Sequence, residues 1–216
     1  MMQLAMRTLA GSVLRAFQPR KGRIFPAPFD HVFFINRDRD AHRLQALTAR
    51  LRVLGVEAER FAPIPDSSPA RSCALTHAAV VREARTRNLR NVLVLEDDVI
   101  FHSEMSDLWP RVAAQLAGIE YDLFYLYRWE RPADEWPLEV VRVSGTLCSH
   151  CYAVHGRYFD RFIDLVESNL HRPVDLVLRD IREAAIYATS VNLAGQDAGV
   201  SLIDQQKKGI RWRSTD

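Results

Sequence analysis

Asn91-Val-Leu-Val-Leu-Glu-Asp-Asp-Val99 is the stretch on which the fold turns. Asn91 to Leu95 is a continuous apolar run, as expected of a central parallel strand covered on both faces. Three carboxylates, Glu96, Asp97 and Asp98, follow it directly. Ligand sites in open α/β sheets lie beyond the carboxyl ends of strands, so the position of these acids matters as much as their number.

Toward the N-terminus, His31-Val-Phe-Phe-Ile35 is a second short strand, rich in β-branched and aromatic residues. Arg43 to Leu54 carries Leu44, Leu47, Leu51 and Leu54 at helical spacing, and Gly55 supplies a stop. Val56 to Phe61 suits a strand, and Pro63 to Arg71 a proline-broken loop. Cys73 to Arg87 has helical periodicity. Beyond the acids, Leu108 to Leu116 is predicted as a helix, and Tyr121–Leu126, Val140–Val143 and His150–Val154 as strands. Arg157–Asn169 and Pro173–Ile186 are predicted as helices, while Tyr187–Asp216 has no clear pattern. Strands alternating with helices argue an α/β fold with a largely parallel sheet.

The chain has 216 residues, 48% of them hydrophobic, enough for one domain with a sizeable core. Its formal net charge of +2 gives no reason to expect nucleic acid as a partner. Cys73, Cys148 and Cys151 are too few and odd in number for a disulfide framework, which favours a reducing compartment. Cys148-Ser-His-Cys151 resembles half a zinc site without its second half. No apolar stretch approaches the ~20 residues of a transmembrane helix.

Residues 1–29 form a basic leader and linker ahead of a domain spanning 30–216. Met2, Met6, Leu9, Val13 and Phe17 recur at helical spacing among arginines. A helix of this kind within residues 1–24 can lie on an anionic membrane surface or dock on the domain. Arg7 and Arg15 interrupt any secretory signal. The expected location is cytoplasmic, with peripheral contact on the inner face of a membrane as the alternative.

Three adjacent carboxylates repel one another and lose solvation on burial unless something positive compensates. A divalent cation, Mn²⁺ or Mg²⁺, is the simplest partner for hard oxygen ligands, and it can clamp a diphosphate. Strand alternation puts Glu96 and Asp98 on one side and Asp97 on the other. Asp98 is therefore the expected direct metal ligand, with Glu96 or Asp97 serving ribose or metal-bound water. A solvated acidic turn or a helix cap would account for the same spacing.

Five segments in order resemble glycosyltransferase family 25, the lipopolysaccharide-type and collagen β-galactosyltransferases. They are Val32-Phe-Phe-Ile-Asn36 with Asp38-Arg39 and Arg43-Leu44, then Ser72-Cys-Ala-Leu-Thr-His77, Leu95-Glu-Asp-Asp-Val99, His150-Cys-Tyr-Ala-Val154 and Pro173-Val-Asp175. Arg37, Ser72, Thr76 and Cys151 depart from the family pattern. The resemblance implies a GT-A-like single domain, a UDP-sugar donor (most often UDP-galactose), inversion at the anomeric carbon, and a bacterial surface-glycan or lipid-linked acceptor.

On this basis Asn36, Asp38, Arg39 and Arg43 are expected around the base and diphosphate, where arginine forks suit phosphate oxygens. Turn formation and surface ion pairing explain the same residues equally well. His77 is expected to face the donor pocket or to be a packed helical histidine. With Asp98 and Asp97, His150 is the further metal candidate, its alternative being a hydrogen-bonded edge histidine. Asp175 is the expected base for the acceptor hydroxyl, or simply a carboxylate at a helix start. Two other functions share the acidic cluster: a metal-dependent phosphohydrolase, and a module that binds nucleotide sugar or a partner without turnover.

Overall fold

The computed structural model describes residues 25–129, 139–147, 149–197, 199–200 and 207–208. The basic helix expected within residues 1–24, and Cys148, lie outside the described residues.

The chain runs β1 (His31–Ile35), α1 (Ala41–Val53), β2 (Glu59–Phe61), α2 (Pro69–Thr86), β3 (Asn91–Glu96), β4 (Val99–Phe101), α3 (Met105–Leu116) and β5 (Leu123–Tyr125). It continues through β6 (Val140–Arg142), β7 (Cys151–His155), α4 (Phe159–Glu167), α5 (Val174–Arg179), β8 (Ile186–Thr189) and β9 (Ala194–Gln196). Seven strands form one sheet in the order β2-β1-β3-β7-β5-β8-β6. β1 lies parallel to β2 and β3, and β5 parallel to β8; β7 and β6 run against their neighbours. Five of the seven strands thus share a direction, yet the sheet is mixed, because β7 is inserted antiparallel between β3 and β5.

Side-chain alternation builds two cores. Val32, Phe34, Leu93 and Leu95 face a layer formed by Leu47 and Leu51 of α1 and by Met105, Trp109, Val112 and Leu116 of α3. Phe33, Val92, Val94 and Tyr152 face the opposite layer, with Ala78 and Val81 of α2, Phe162 and Val166 of α4 and Leu178 of α5. The packed chain reaches back to Phe25 and Phe29, which join the first core. Phe25 stands edge-on to Trp109 at 4.8 Å, and Trp109 Nε1 donates to the Ala27 carbonyl at 2.7 Å.

Local signals explain most boundaries. Gly55, at φ +67°, ends α1: its N–H bonds Arg52 O and that of Val56 bonds Leu51 O, the Schellman pattern that favours glycine. Ser68 caps α2 ahead of Pro69. The long helix expected over Pro173–Ile186 is not formed. α5 stops at Arg179, where Asp180 pairs with Arg172 and Arg179. Ile186 begins β8, with Ile186 and Ala188 in the second core and Tyr187 against the first, a period of two that a helix reading of the apolar residues conceals. β4 and β9 form a separate two-stranded antiparallel sheet that starts right after the acidic turn.

Trp109 is fully buried and bridges the N-terminal segment to α3. Trp109→Ala is expected to cost about 3–5 kcal/mol and to lower Tm by roughly 10 °C. A thermal scan by circular dichroism showing a shift under about 3 °C would mean that residues 25–29 are not anchored there.

Candidate functional site

β1 and β3 lie side by side in parallel, with Ile35 opposite Glu96. Past these last paired residues the alternation continues. Phe34 and Leu95 face the first core, so the positions two further on, Asn36 and Asp97, turn toward the same layer, where α1 waits. Asn36 Nδ2 donates to Asp97 Oδ2 at 2.9 Å, and Arg43 Nη1 of α1 donates to Asp97 Oδ1 at 2.9 Å. Asn36 and Asp97 are both buried. Arg60 of β2 completes the group by donating to Asn36 Oδ1 and to its backbone carbonyl, at 3.1 and 2.9 Å.

Glu96 faces the opposite layer. Ser149 Oγ donates to its Oε1 at 2.8 Å, and His77 Nε2 of α2 lies 3.5 Å from the same oxygen. Burial alone would raise the Glu96 carboxyl, but the neighbouring His77 and His150 and the Ser149 hydrogen bond hold it below its ordinary range. The Ser72-Cys-Ala-Leu-Thr-His77 segment contributes two pairs at helical i, i+4 spacing. Ser72 Oγ donates to Ile64 O and Thr76 Oγ accepts from Ile64 N, stitching the preceding loop to α2. Cys73 and His77 stand one position round, toward the strand ends. The Cys73 thiol is pushed up by burial and by the negative charges of Glu96, Asp175 and Asp98. The charges of all three carboxylates therefore reach Cys73.

Asp98 occupies the turn between β3 and β4. Its Oδ1 is buried without a hydrogen-bond partner, and its Oδ2 lies 3.8 Å from Arg43 Nη1, too far for a hydrogen bond. Burial and the charge of Glu96 push its carboxyl up to about 7, against the pull of Arg43. The backbone here is braced from two directions. Asp197 N donates to Asp98 O at 2.7 Å, and Arg50 of α1 donates to Val99 O at 3.0 Å while also holding the Asp197 carboxylate.

The remaining expected residues spread out. Asp38 is exposed and paired with Arg60; Arg39 is exposed on the same turn. Arg37 pairs with Asp40, so its charge is locally neutralised. His150 is fully buried with its ring 4.8 Å from that of Tyr127, and its carbonyl accepts from Glu96 N at 2.9 Å. Asp175 sits in the first turn of α5, Oδ1 accepting from Leu176 N at 2.9 Å. Its charge is felt at Cys73 and at Tyr125. Ser149, Tyr152 and Asp197 join the site without having been expected from sequence. Ser149 and Tyr152 lie within the His150 segment, whereas nothing local marks Asp197.

Among the described residues no three His, Cys, Asp or Glu side chains are gathered to hold a metal ion. Of the expected metal candidates, Asp97 is engaged by Asn36 and Arg43, and the His150 ring lies beside that of Tyr127. Asp98 alone fits a cation: its oxygen is hard, buried and without a hydrogen bond. Mg²⁺-type ions commonly take one or two carboxylates and complete their shell with water and substrate phosphates. Among the described residues no helix is long and apolar enough to cross a membrane.

The fold and this strand end define an α/β protein with a cluster of carboxylates on the carboxyl edge of its mixed sheet. Residues 67–170 match the model described as Glycosyltransferase family 25 (LPS biosynthesis protein), the family that the five sequence segments resemble. No curated protein matches it in sequence. Among solved structures it is similar to a glycosyltransferase involved in glycosylation of the major capsid of PBCV-1, at 10% identity and TM-score 0.38, covering 63% of this chain and 66% of that one. It is also similar to a mannose-1-phosphate geranyltransferase from Thermus thermophilus, at 14% identity and TM-score 0.35, covering 73% and 58%. A nucleoside-diphosphate-sugar pyrophosphorylase from Vibrio cholerae is a third likeness, at 12% identity and TM-score 0.37, covering 74% and 72%. The chain spans less than two thirds of the length of the first two. Likenesses this distant bear on neither substrate nor mechanism.

The Asp98 geometry has a pH signature. With its folded pKa raised, Asp98 holds its proton more tightly in the native state. Its contribution is therefore most favourable below the ordinary carboxylate range and is lost as pH rises toward about 7. Without added metal, Asp98→Asn should raise Tm at pH 8 by roughly 5 °C, from about 2 kcal/mol of relieved charge burial, and leave it unchanged at about pH 4. Equal Tm values for variant and parent at the higher pH would show Asp98 to be an ordinary solvated acid.

Proposed function

We propose that the chain transfers a hexose, most simply galactose, from a UDP-sugar to a hydroxyl of a surface-glycan or lipid-linked acceptor. Inversion at the anomeric carbon and a requirement for Mn²⁺ or Mg²⁺ are part of the proposal. The observation that carries it is the Asp98 carboxylate: buried, only distantly met by Arg43, and missing a partner on Oδ1 at the mouth of the sheet. An acid in that state calls for a cation, and the family match spans it.

A divalent cation on Asp98 would offset charge developing on a leaving diphosphate. The protein's own part is positional. Arg43 holds Asp97 and keeps the strand ends of β1 and β3 locked through Asn36. Glu96, kept ionised, presents an acceptor to a donor hydroxyl. Arg39, exposed beside the site, is available to phosphate oxygens. Asp175 takes the proton of the acceptor hydroxyl as that oxygen attacks the anomeric carbon. Its support is that its charge, like those of Glu96 and Asp98, is felt at Cys73.

Calorimetric titration with UDP should show binding that requires Mn²⁺ and disappears on chelation. Asp98→Ala should retain the native circular dichroism spectrum and lose on the order of a thousandfold in sugar transfer, since a metal's transition-state effect amounts to several kcal/mol. Full activity in Asp98→Ala, or UDP binding indifferent to metal, would overturn the assignment. Donor cleavage at one rate with and without acceptor would instead favour a phosphohydrolase.

A further inference from the structure

Tyr152 is the second residue of β7, fully buried, and projects into the second core. Its ring stacks on Phe162 at 6.0 Å, on Tyr125 at 5.8 Å and on the His77 imidazole at 5.7 Å. That packing fixes the ring plane, and with it the hydroxyl. The hydroxyl lies 2.8 Å from His77 Nδ1, and both groups are buried. On the other side of the imidazole, Nε2 lies 3.5 Å from Glu96 Oε1.

An ionised carboxylate only accepts, so the nitrogen facing Glu96 must carry hydrogen. In a neutral imidazole the other nitrogen is then the acceptor, and Tyr152 O–H donates to it. The hydroxyl therefore selects the tautomer and the ring orientation that His77 presents to Glu96. Ser149 Oγ supplies the second donor to the same Oε1 at 2.8 Å. One hydrogen bond and one facing imidazole nitrogen thus meet at the same carboxylate oxygen. Oε2 receives neither of them.

We propose that Tyr152 is a positioning residue for the transfer site: acting through His77, it orients Glu96 so that Oε2 faces the donor. This rests on the reading of the strand end as the donor site. A core tyrosine would pack here equally well as phenylalanine; what phenylalanine cannot do is choose the histidine tautomer.

The test uses the full chain. Long-range ¹H–¹⁵N NMR on histidine-labelled protein, with His77 assigned from His77→Gln, should show Nε2–H in the parent and a mixture of tautomers in Tyr152→Phe. Affinity for UDP in the presence of Mn²⁺ should fall about 10- to 100-fold in Tyr152→Phe, the range typical of losing a partner that orients a ligating group. Tm should hold within a few degrees. His77→Gln, which keeps an N–H near the Nε2 position, should retain more affinity than His77→Asn. In an E96Q background Tyr152→Phe should have no further effect. An unchanged tautomer in Tyr152→Phe, or the same loss of affinity in the E96Q background, would overturn the proposal. A parent that bound no UDP would sink the donor reading, while the NMR comparison would still decide whether Tyr152 sets the state of His77.

Discussion

A strand turns successive side chains to opposite faces, and β3 carries that rule past its last paired residue into three acids. The site depends on this constraint. Had Glu96, Asp97 and Asp98 begun a helix, their carboxylates would have fanned out over more than half a turn toward solvent. Held in extended backbone and a tight turn, they are sent to different environments. Asp97 goes down to α1, Glu96 across to α2, and Asp98 stays at the edge between them. Arg50 and Asp197 brace the backbone at the turn, where the strand's own ladder has run out.

The three acids consequently receive unequal compensation. Asp97 has a full hydrogen-bonded set from Asn36 and Arg43. Glu96 has Ser149 and His77. Asp98 has its own backbone N–H and the distant edge of an arginine already occupied by Asp97. A buried carboxylate without a matching charge resists ionisation, and Asp98 does so. The local free energy is therefore poor at Asp98 by construction, and a ligand able to supply positive charge there gains most. Strain of this kind at a site, offset elsewhere in the fold, is a recurring arrangement in proteins.

Local periodicity made much of this legible. β1 and β3 are runs of apolar residues with no helical alternative of sufficient length, and α1 carries its leucine stripe and Gly55 stop within one window. Opposite destinations for Glu96 and Asp97 follow from the period of two. What stayed hidden is what depends on distant chain. Nothing near Asp197 shows that it will lie on the carbonyl of Asp98, since that contact exists only because β9 pairs with β4 across 93 to 97 residues. The insertion of β7 between β3 and β5 is equally invisible, because a fully buried strand reads the same in either direction. Segment 173–186 misled for a physical reason: Val174, Val177, Leu178 and Ile181 keep helical spacing through Asp180, although the helix ends there.

The antiparallel placement of β7 has a consequence for the chemistry. Because β7 runs against β3, its start lies beside the end of β3, with Cys151 opposite Leu95. Ser149 and His150, just before that start, are delivered to the carboxylate end of the sheet, where a parallel neighbour would have brought its terminus instead. The Glu96 amide then bonds the His150 carbonyl, and its side chain meets the Ser149 hydroxyl. One residue further into β7, alternation turns Tyr152 to the face of α2 and His77. A single reversed strand thus supplies Glu96 with its backbone partner and one direct donor, and supplies the hydroxyl that orients the other donor. Inverting that strand would leave all three acids in place and strip Glu96 of Ser149 and His150, two of the groups that keep it ionised.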